Sequence, residues 1–295
     1  MALTFDIVRD GIPAINTAQA ALAQAQQQVS TGRAWQSVAA DPAAASRAVG
    51  EHTELSVIDA YKSTANAVAS RQSAADSTLT DIIQQLTSAM ASLTGAQGST
   101  ATQATRDAAA DSLTGVRDAI ASDVNTTYQG TYIFSGSQVT KAAYANTGGV
   151  WTYQGDNTPV SVSINTGTKV ADTWDGQAIL QGSDSTDLLT TLDTLATAVR
   201  SGDAAGMSAG MTALQSAFGR ATQAQDRLGT DENSVTNATS RLTTLSLATD
   251  TRRSQDEDAN MAAAVSQMSQ AQTSLQAALA TVAHASQLTL FDFLR

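Results

Sequence analysis

Residues 254–295 read SQDEDANMAAAVSQMSQAQTSLQAALATVAHASQLTLFDFLR, and apolar residues recur in this stretch every seven positions. That spacing is typical of the a and d positions of a helix that packs along another helix. We call the two rows the C-terminal seam: Met261, Met268, Leu275 and Val282 form the first, and Val265, Gln272, Leu279 and Ser286 form the second, offset by four. The pattern predicts a long helix that needs a partner.

The beginning of the chain carries a matching N-terminal seam. Its first row is Val8, Ile15, Leu22 and Val29, and Ala18 and Ala25 lie in the offset row. The two seams can pair only if the chain leaves one place and returns to it, so we predict a hairpin. We also predict that the apolar residues of both seams form an assembly interface, together with an ending too apolar for a solvated tail: Leu290, Phe291, Phe293 and Leu294.

Composition favours thin helix-on-helix packing over a bulky globular core. Aromatic residues make up 4% of the 295 residues, and the apolar content is weighted toward Ala. The formal net charge is −11 with only three lysines, which excludes a nucleic-acid backbone or an anionic membrane surface as the expected partner. No run of eighteen apolar residues occurs, and residues 1–10 lack the pattern of a cleaved secretory signal, so we expect neither membrane insertion nor signal-peptide export.

Helix signals continue through most of the chain. Gly11 and Pro13 suggest a start for a first helix over residues 14–30, and Asp41-Pro42 is a strong start for a second, over residues 42–93. A third is predicted over residues 102–128. A further helix is predicted over residues 187–199. Another begins after Ser201-Gly202-Asp203, and a last one begins after Gly229 and continues into the C-terminal seam.

Between Gly130 and Gly182 the chain changes character, because glycines and aromatic residues concentrate there. Four short strands are predicted between turn residues: 131–134, 150–153, 160–164 and 178–180. The fold class is therefore mainly α: an elongated hairpin of long helices and terminal coiled-coil helices, with a small β-rich insertion. A nested hairpin places the two termini together and the insertion far from them.

Residues suited to catalysis or metal binding are few and scattered. His52 and His284 each lie on a predicted helix without a second ligand one turn away, so we interpret them as surface or packing residues. The run Asp256-Glu257-Asp258 lacks the spacing of a calcium loop and is interpreted as the solvated start of a helix. Cysteine is absent. We predict a protein that is not an enzyme and uses no cofactor or metal.

Several motifs resemble the bacterial flagellin family. The segment Thr31-Gly32-Arg33, followed by Ala40-Asp41-Pro42-Ala43, resembles the stretch after the first helix of flagellins and hook-associated proteins. The run NTTYQGTYIFSGS, residues 125–137, is similar to the helix-to-hairpin junction of the family's hook–filament junction proteins, as is Tyr153-Gln154-Gly155-Asp156 in the insertion. The Asp-Pro pair favours a junction protein, whereas Ala40 departs from the family, which commonly has Asp there.

The resemblance implies a structural subunit of the bacterial flagellum, exported unfolded through the flagellar type III apparatus to the cell exterior. It implies a ring of copies between hook-associated protein 1 and flagellin, and an export chaperone that binds the C-terminal helix. Three regions are expected: terminal helices (1–40 and 254–295) form the inner tube, long helices (41–137 and 183–253) surround it, and a β-rich outer domain (138–182) faces outward. Two alternatives remain open, a flagellin filament subunit and a secreted adhesin that binds through the β insertion.

Overall fold

A computed structural model describes residues 2–98 and 100–293, with side chains described for residues 12–98 and 100–284. Seven helices and six short strands occur in this part of the chain. The helices are α1 (Ala2–Thr31), α2 (Pro42–Gln97), α3 (Gln103–Val124), α4 (Gly176–Leu180), α5 (Leu188–Ser201), α6 (Ala204–Glu257) and α7 (Met261–Phe293). The strands are β1 (Thr127–Tyr128), β2 (Thr131–Tyr132), β3 (Tyr144–Thr147), β4 (Val150–Tyr153), β5 (Ser161–Asn165) and β6 (Thr168–Ala171). The predicted mainly α class with a small β insertion is confirmed.

The first helix begins earlier than predicted. α1 passes through Gly11 and Pro13 instead of starting there, although Pro13 removes one backbone hydrogen bond from the helix interior. Gly and Pro weaken a helix but do not forbid one. The prediction that the helix starts at this point is wrong.

The last helix begins later than predicted, at Met261. Asn260 caps it, because the Asn260 side-chain oxygen accepts a hydrogen bond from the backbone N–H of Ala263 at 3.1 Å. The acidic run Asp256-Glu257-Asp258 therefore does not start a helix. It lies at the carboxyl end of α6, which also continues without a break through Gly229.

The β insertion consists of three two-stranded antiparallel hairpins, β1–β2, β3–β4 and β5–β6. The predicted strand at 150–153 is confirmed as β4, and 160–164 is close to β5. The predicted strand at 178–180 is wrong, since these residues lie in the short helix α4. Asp175 caps α4 by accepting a hydrogen bond from the N–H of Gln177 at 2.8 Å, a helix-start signal that outweighs the strand preference of Ile179.

The chain divides into two compact units, Met1–Ile58 with Thr244–Arg295, and Asp59–Thr243. The second unit has a continuous apolar core in which Leu86, Leu113 and Phe134 are fully buried. Arg71 of α2 holds two hairpins to this unit. Its guanidinium pairs with Asp172 beyond β6 at 2.9 Å, donates to Thr131 Oγ1 at 3.1 Å, and lies 5.6 Å from the ring centre of Tyr128.

In the described part of the chain, no helix is both long enough and apolar enough to span a bilayer.

Candidate functional site

The terminal helices α1 and α7 pack against each other along their length. They run antiparallel, because the N–H of Ala259, just before α7, donates to the carbonyl of Gly32, just after α1, at 2.8 Å. The predicted pairing of the two ends of the chain is confirmed. On α1 the predicted N-terminal seam faces the partner helix: Ile15, Leu22, Val29 and Ala18 are half-buried, and Ala25 is buried.

On α7 the contact uses one predicted row and one that was not predicted. Met268, Leu275 and Val282 are half-buried as expected, whereas Met261 of the same row is 44% exposed. The unpredicted row consists of Ala264, Ala271 and Ala278, each four residues before one of these three. The predicted second row is wrong for this contact: Val265 and Leu279 are 47% and 49% exposed. Alanine lets the two backbones approach closely, so the larger side chains are displaced to the flank of the pair. Because α7 is rich in Ala, the sequence did not distinguish this row.

The displaced side chains form an apolar ridge, defined by Ile12, Met261, Val265 and Leu279, each between 44% and 54% exposed. The position of each residue around its helix follows from about 3.6 residues per turn. Viewed from the N-terminus of each helix, Ile12 lies to one side of the α1 seam, and Met261, Val265 and Leu279 lie to the same side of the α7 seam. When two helices run antiparallel, these corresponding sides of the two seams face the same way. The four residues therefore occupy one side of the pair, and Met261, Val265 and Leu279 stay available for another chain.

The opposite side of the pair is a shallow groove of about 680 Å³. Small and amide side chains line it: Ala14, Thr17, Ala21 and Gln24 from α1, and Gln267, Gln270 and Ser274 from α7. We call it the small-residue groove. The pair thus presents large apolar side chains on one side and a concave surface on the other.

Charge is missing from both helices over the described side chains that form the pair. Residues 12–31 and 261–283 contain no Asp, Glu, Lys or Arg, in a chain that is 15% charged and carries a net charge of −11. An exposed helix surface is normally rich in charged residues. A surface without them lets identical, strongly acidic chains approach without placing like charges in contact.

The remaining predicted interface residues cannot be placed. The side chains of Val8, Leu290, Phe291 and Phe293, and all of Leu294, lie outside the described residues.

A cluster of charged residues, which we call the base cluster, lies where α1 ends and α7 begins. Its centre is Glu257, which is only 5% exposed. Its carboxylate pairs with Arg33 at 3.0 Å, with His52 Nε2 at 3.0 Å and with Arg253 at 3.6 Å. A carboxylate at the carboxyl end of a helix meets an unfavourable dipole, and the guanidinium groups of Arg33 and Arg253 offset it. The prediction of a solvated acidic helix start is wrong, and His52 has a specific partner.

Neighbouring contacts tie the loop after α1 to the same place. The indole Nε1 of Trp35 donates to the carbonyl of Asp256 at 2.8 Å, and the N–H of Ala34 donates to the carbonyl of Glu257 at 2.8 Å. The guanidinium of Arg47 binds both carboxylate oxygens of Asp256 at 2.6 and 2.9 Å, and this hydrogen bonding lowers the pKa of Asp256. The base cluster therefore fixes the ends of α1 and α7 to each other independently of the seam.

Sequence reasoning missed the base cluster because its members are far apart in the chain. His52 and Glu257 are separated by 205 positions. The available signal was the acidic run itself, which closely follows Arg252 and Arg253 in the sequence. Among the described residues, no group of three His, Asp or Glu side chains is arranged to hold a metal ion.

Comparison with known sequences defines the class of protein. The family profile of the bacterial flagellin N-terminal helical region matches residues 13–139, and that of the C-terminal helical region matches residues 211–294. Together they match more than two thirds of the chain, which therefore belongs to the bacterial flagellin family. This is a family of structural subunits and not of enzymes. No curated protein sequence matches the chain.

Several solved structures share the fold of this chain. A putative flagellar hook-associated protein from Vibrio parahaemolyticus is 20% identical with a TM-score of 0.71, over 74% of this chain and 100% of that chain. FlgL from Bacillus cereus is 18% identical with a TM-score of 0.61, over 70% and 99% of the two chains. The flagellar junction protein FlgL from Legionella pneumophila is 13% identical with a TM-score of 0.59, over 71% and 100%.

Proposed function

We propose that this protein is an adaptor of the hook-associated protein 3 type, a structural subunit that joins the hook of the bacterial flagellum to its filament. The observation that carries the proposal is the uncharged α1–α7 pair, with exposed apolar residues such as Val265 and Leu279 and no described partner in its own chain. Family membership supports a flagellar subunit. The junction-type motifs in residues 125–137 and the shared fold with proteins titled FlgL favour the junction over the filament.

In this proposal the terminal helices form the inner tube of a ring of copies. The seam between α1 and α7 is built largely from Ala and half-buried aliphatic side chains, so it gains little apolar burial alone. Neighbouring copies supply the rest. The ring has hook-associated protein 1 on the hook side and flagellin on the filament side, with the long helices around the tube and the β insertion facing outward.

The same weakness of the seam suits export. A terminal pair that closes poorly alone can pass unfolded through the flagellar type III apparatus, while an export chaperone binds the C-terminal helix. The proposed location is extracellular, in the flagellum. The absence of cysteine fits this route, because an unfolded chain in transit cannot then be cross-linked.

Deletion and complementation test the proposal. A strain that lacks the gene should lose its filaments and swimming, and the native chain should restore both, with immunogold labelling only at the hook–filament junction. Labelling along the filament, together with polymerisation of the purified chain alone into long filaments, would instead assign it as a flagellin. Normal swimming in the deletion strain would overturn both assignments.

A further inference from the structure

The two sides of the α1–α7 pair differ in shape and in the size of their side chains. The apolar ridge projects on one side, and the small-residue groove of about 680 Å³ lies on the other. Both are built from α1 and α7, and neither is covered by a described residue of the same chain. The ridge and the groove therefore lie on the same pair of helices, on opposite sides of the seam.

We propose that adjacent copies assemble by a heterologous contact, in which the apolar ridge of one copy enters the small-residue groove of the next. This inference rests on the proposed function and specifies the surfaces by which copies join. The occupant of each groove is a second copy of this chain. The contact repeats in one direction around the assembly, because each copy offers its ridge to one neighbour and its groove to the other.

Charge favours another copy over an unrelated partner. The chain has a net charge of −11, so two copies repel each other wherever charged surfaces meet. Residues 12–31 and 261–283 are free of such charges, and they form both the ridge and the groove. A basic or acidic partner would instead be expected to leave charged residues on this surface.

Shape favours a heterologous contact over a two-fold one. Packing the ridge of one copy against the ridge of another would place Val265 and Leu279 against equally large side chains. In the groove they meet Ala14, Ala21 and Ser274, which leave room for them. Insertion of ridges into grooves is the general way in which helices pack. A two-fold ridge contact would also close as a dimer and could not continue into a ring.

Cysteine cross-linking tests the inference directly, because the natural chain contains no cysteine. We would replace Val265 or Leu279 on the ridge with Cys, and Gln267 or Ser274 in the groove, as single variants. Val265 and Gln267 lie near the start of α7, and Ser274 and Leu279 lie further along it. With two positions on each surface, at least one ridge cysteine should lie close enough to a groove cysteine of the next copy for a short bis-maleimide to link them. Pairs of variants are produced together in the deletion strain, and isolated flagella are analysed on non-reducing gels.

A ridge variant mixed with a groove variant should give cross-linked dimers, and a chain carrying both cysteines should give a ladder. Ridge variants alone should stay monomeric. The matched control is Thr273→Cys, an exposed position on the outer face of α7 that belongs to neither surface. Dimers from a ridge variant alone, or incorporated chains that give no ridge–groove product, would overturn the heterologous contact.

The same gels separate this inference from the proposed function. The amount of chain in the isolated flagella reports incorporation, whatever its cross-linking. A chain that is incorporated but links ridge to ridge overturns only the heterologous contact. A native chain that is absent from flagella overturns the proposed function and this inference with it.

Discussion

At the scale of single residues, Glu257 has the most consequential environment in the first unit. It is nearly buried at the carboxyl end of α6, and its carboxylate contacts Arg33, Arg253 and the imidazole of His52. The sequence placed His52 on a helix correctly but could not supply its partner, because pairing across 205 positions depends on the tertiary fold. In the first unit, the single residues expected to affect stability most are those that join distant segments of the chain.

Glu257→Gln should loosen the joint between α1 and α7. The substitution removes the charge that Arg33, His52 and Arg253 share, and loss of hydrogen bonds to a charged group costs about 1–3 kcal/mol. The cost should lie toward the lower end, since the side chains of Arg33 and His52 are 58% and 52% exposed and can be solvated. Faster amide exchange at residues 28–36 and 257–264 would measure it.

Asp250→Asn is the control for Glu257→Gln. Asp250 pairs with Arg253 at 2.7 Å, but its side chain is 53% exposed, and exposed pairs contribute little to stability. Amide exchange in the Asp250→Asn variant should match that in the native protein. Equal effects of the two substitutions would show that burial of Glu257 has no particular importance.

Asp156 organises a turn of the β insertion. One carboxylate oxygen accepts hydrogen bonds from the backbone N–H groups of Ser137 and Thr158 at 2.9 and 3.0 Å, and the other accepts from the Ser137 hydroxyl. These bonds hold the pKa of Asp156 well below its usual range. A side chain at Gly136, whose φ is +61°, would collide with the backbone of Asp156, so this position requires glycine.

Asp156→Asn should reduce stability at neutral pH but not in acid. A carboxylate whose pKa is lowered by folding stabilises the protein above its unfolded pKa of about 3.9, and this contribution is lost as the pH falls toward the folded value. The difference in melting temperature between native and variant proteins should therefore shrink between neutral pH and pH values below about 4. A constant difference across that range would contradict the assigned role of the carboxylate.

At the scale of elements, helix period and cap residues predicted most of the fold, and β4 was located to the residue. The errors have physical reasons. Gly11 and Pro13 do not mark the start of α1, and Gly229 does not interrupt α6, because Gly and Pro weaken a helix without forbidding one. The alanine row of α7 was missed, since apolar size indicates which residues are hydrophobic but not how closely two helices approach. The contact between α1 and α7 was thus predicted on the correct helices but with one incorrect row, while the assembly interface stays a prediction.

Leu275→Ala and Leu279→Ala form a matched pair of substitutions on α7. Leu275 is half-buried against α1, so its truncation should destabilise the terminal pair by about 1–2 kcal/mol, less than a fully buried leucine. Leu279 is 49% exposed on the ridge, so its truncation should leave the isolated pair unchanged and reduce incorporation into flagella. Amide exchange on the monomer and the variant's abundance in isolated flagella measure the two effects.

The double variant tests the scheme as a whole. It should leave the second unit folded, judged by near-ultraviolet circular dichroism, and abolish incorporation. Normal motility of a strain that carries both substitutions would contradict the role of the C-terminal seam and the ridge together.

At the scale of the whole molecule, the two units differ in how they are stabilised. The second unit has a continuous core with many fully buried side chains, such as Leu79, Leu189 and Phe134. The terminal pair of the first unit buries few residues completely, Ala25, Ala264 and Ala271 among them. A marginal pair of this kind is expected to order fully only when further surface is buried by neighbours.

Hydrogen exchange should reveal this difference between units. In the monomer, amides of residues 12–31 and 261–283 should exchange far faster than those in the core of the second unit, and assembly should protect them. The comparison uses monomer and isolated flagella under the same conditions. Strong protection of residues 261–283 in the monomer would show that the pair is stable without neighbours.

The uncharged surface of the terminal helices also determines how the assembled structure responds to the medium. Contacts between charged groups weaken as ionic strength rises, because the screening length falls from about 10 Å at 0.1 M salt to about 3 Å at 1 M. Residues 12–31 and 261–283 offer nothing to screen. The proposed contact between copies should therefore change little in strength between low and high salt, whereas contacts between charged surfaces would weaken as the salt concentration rises.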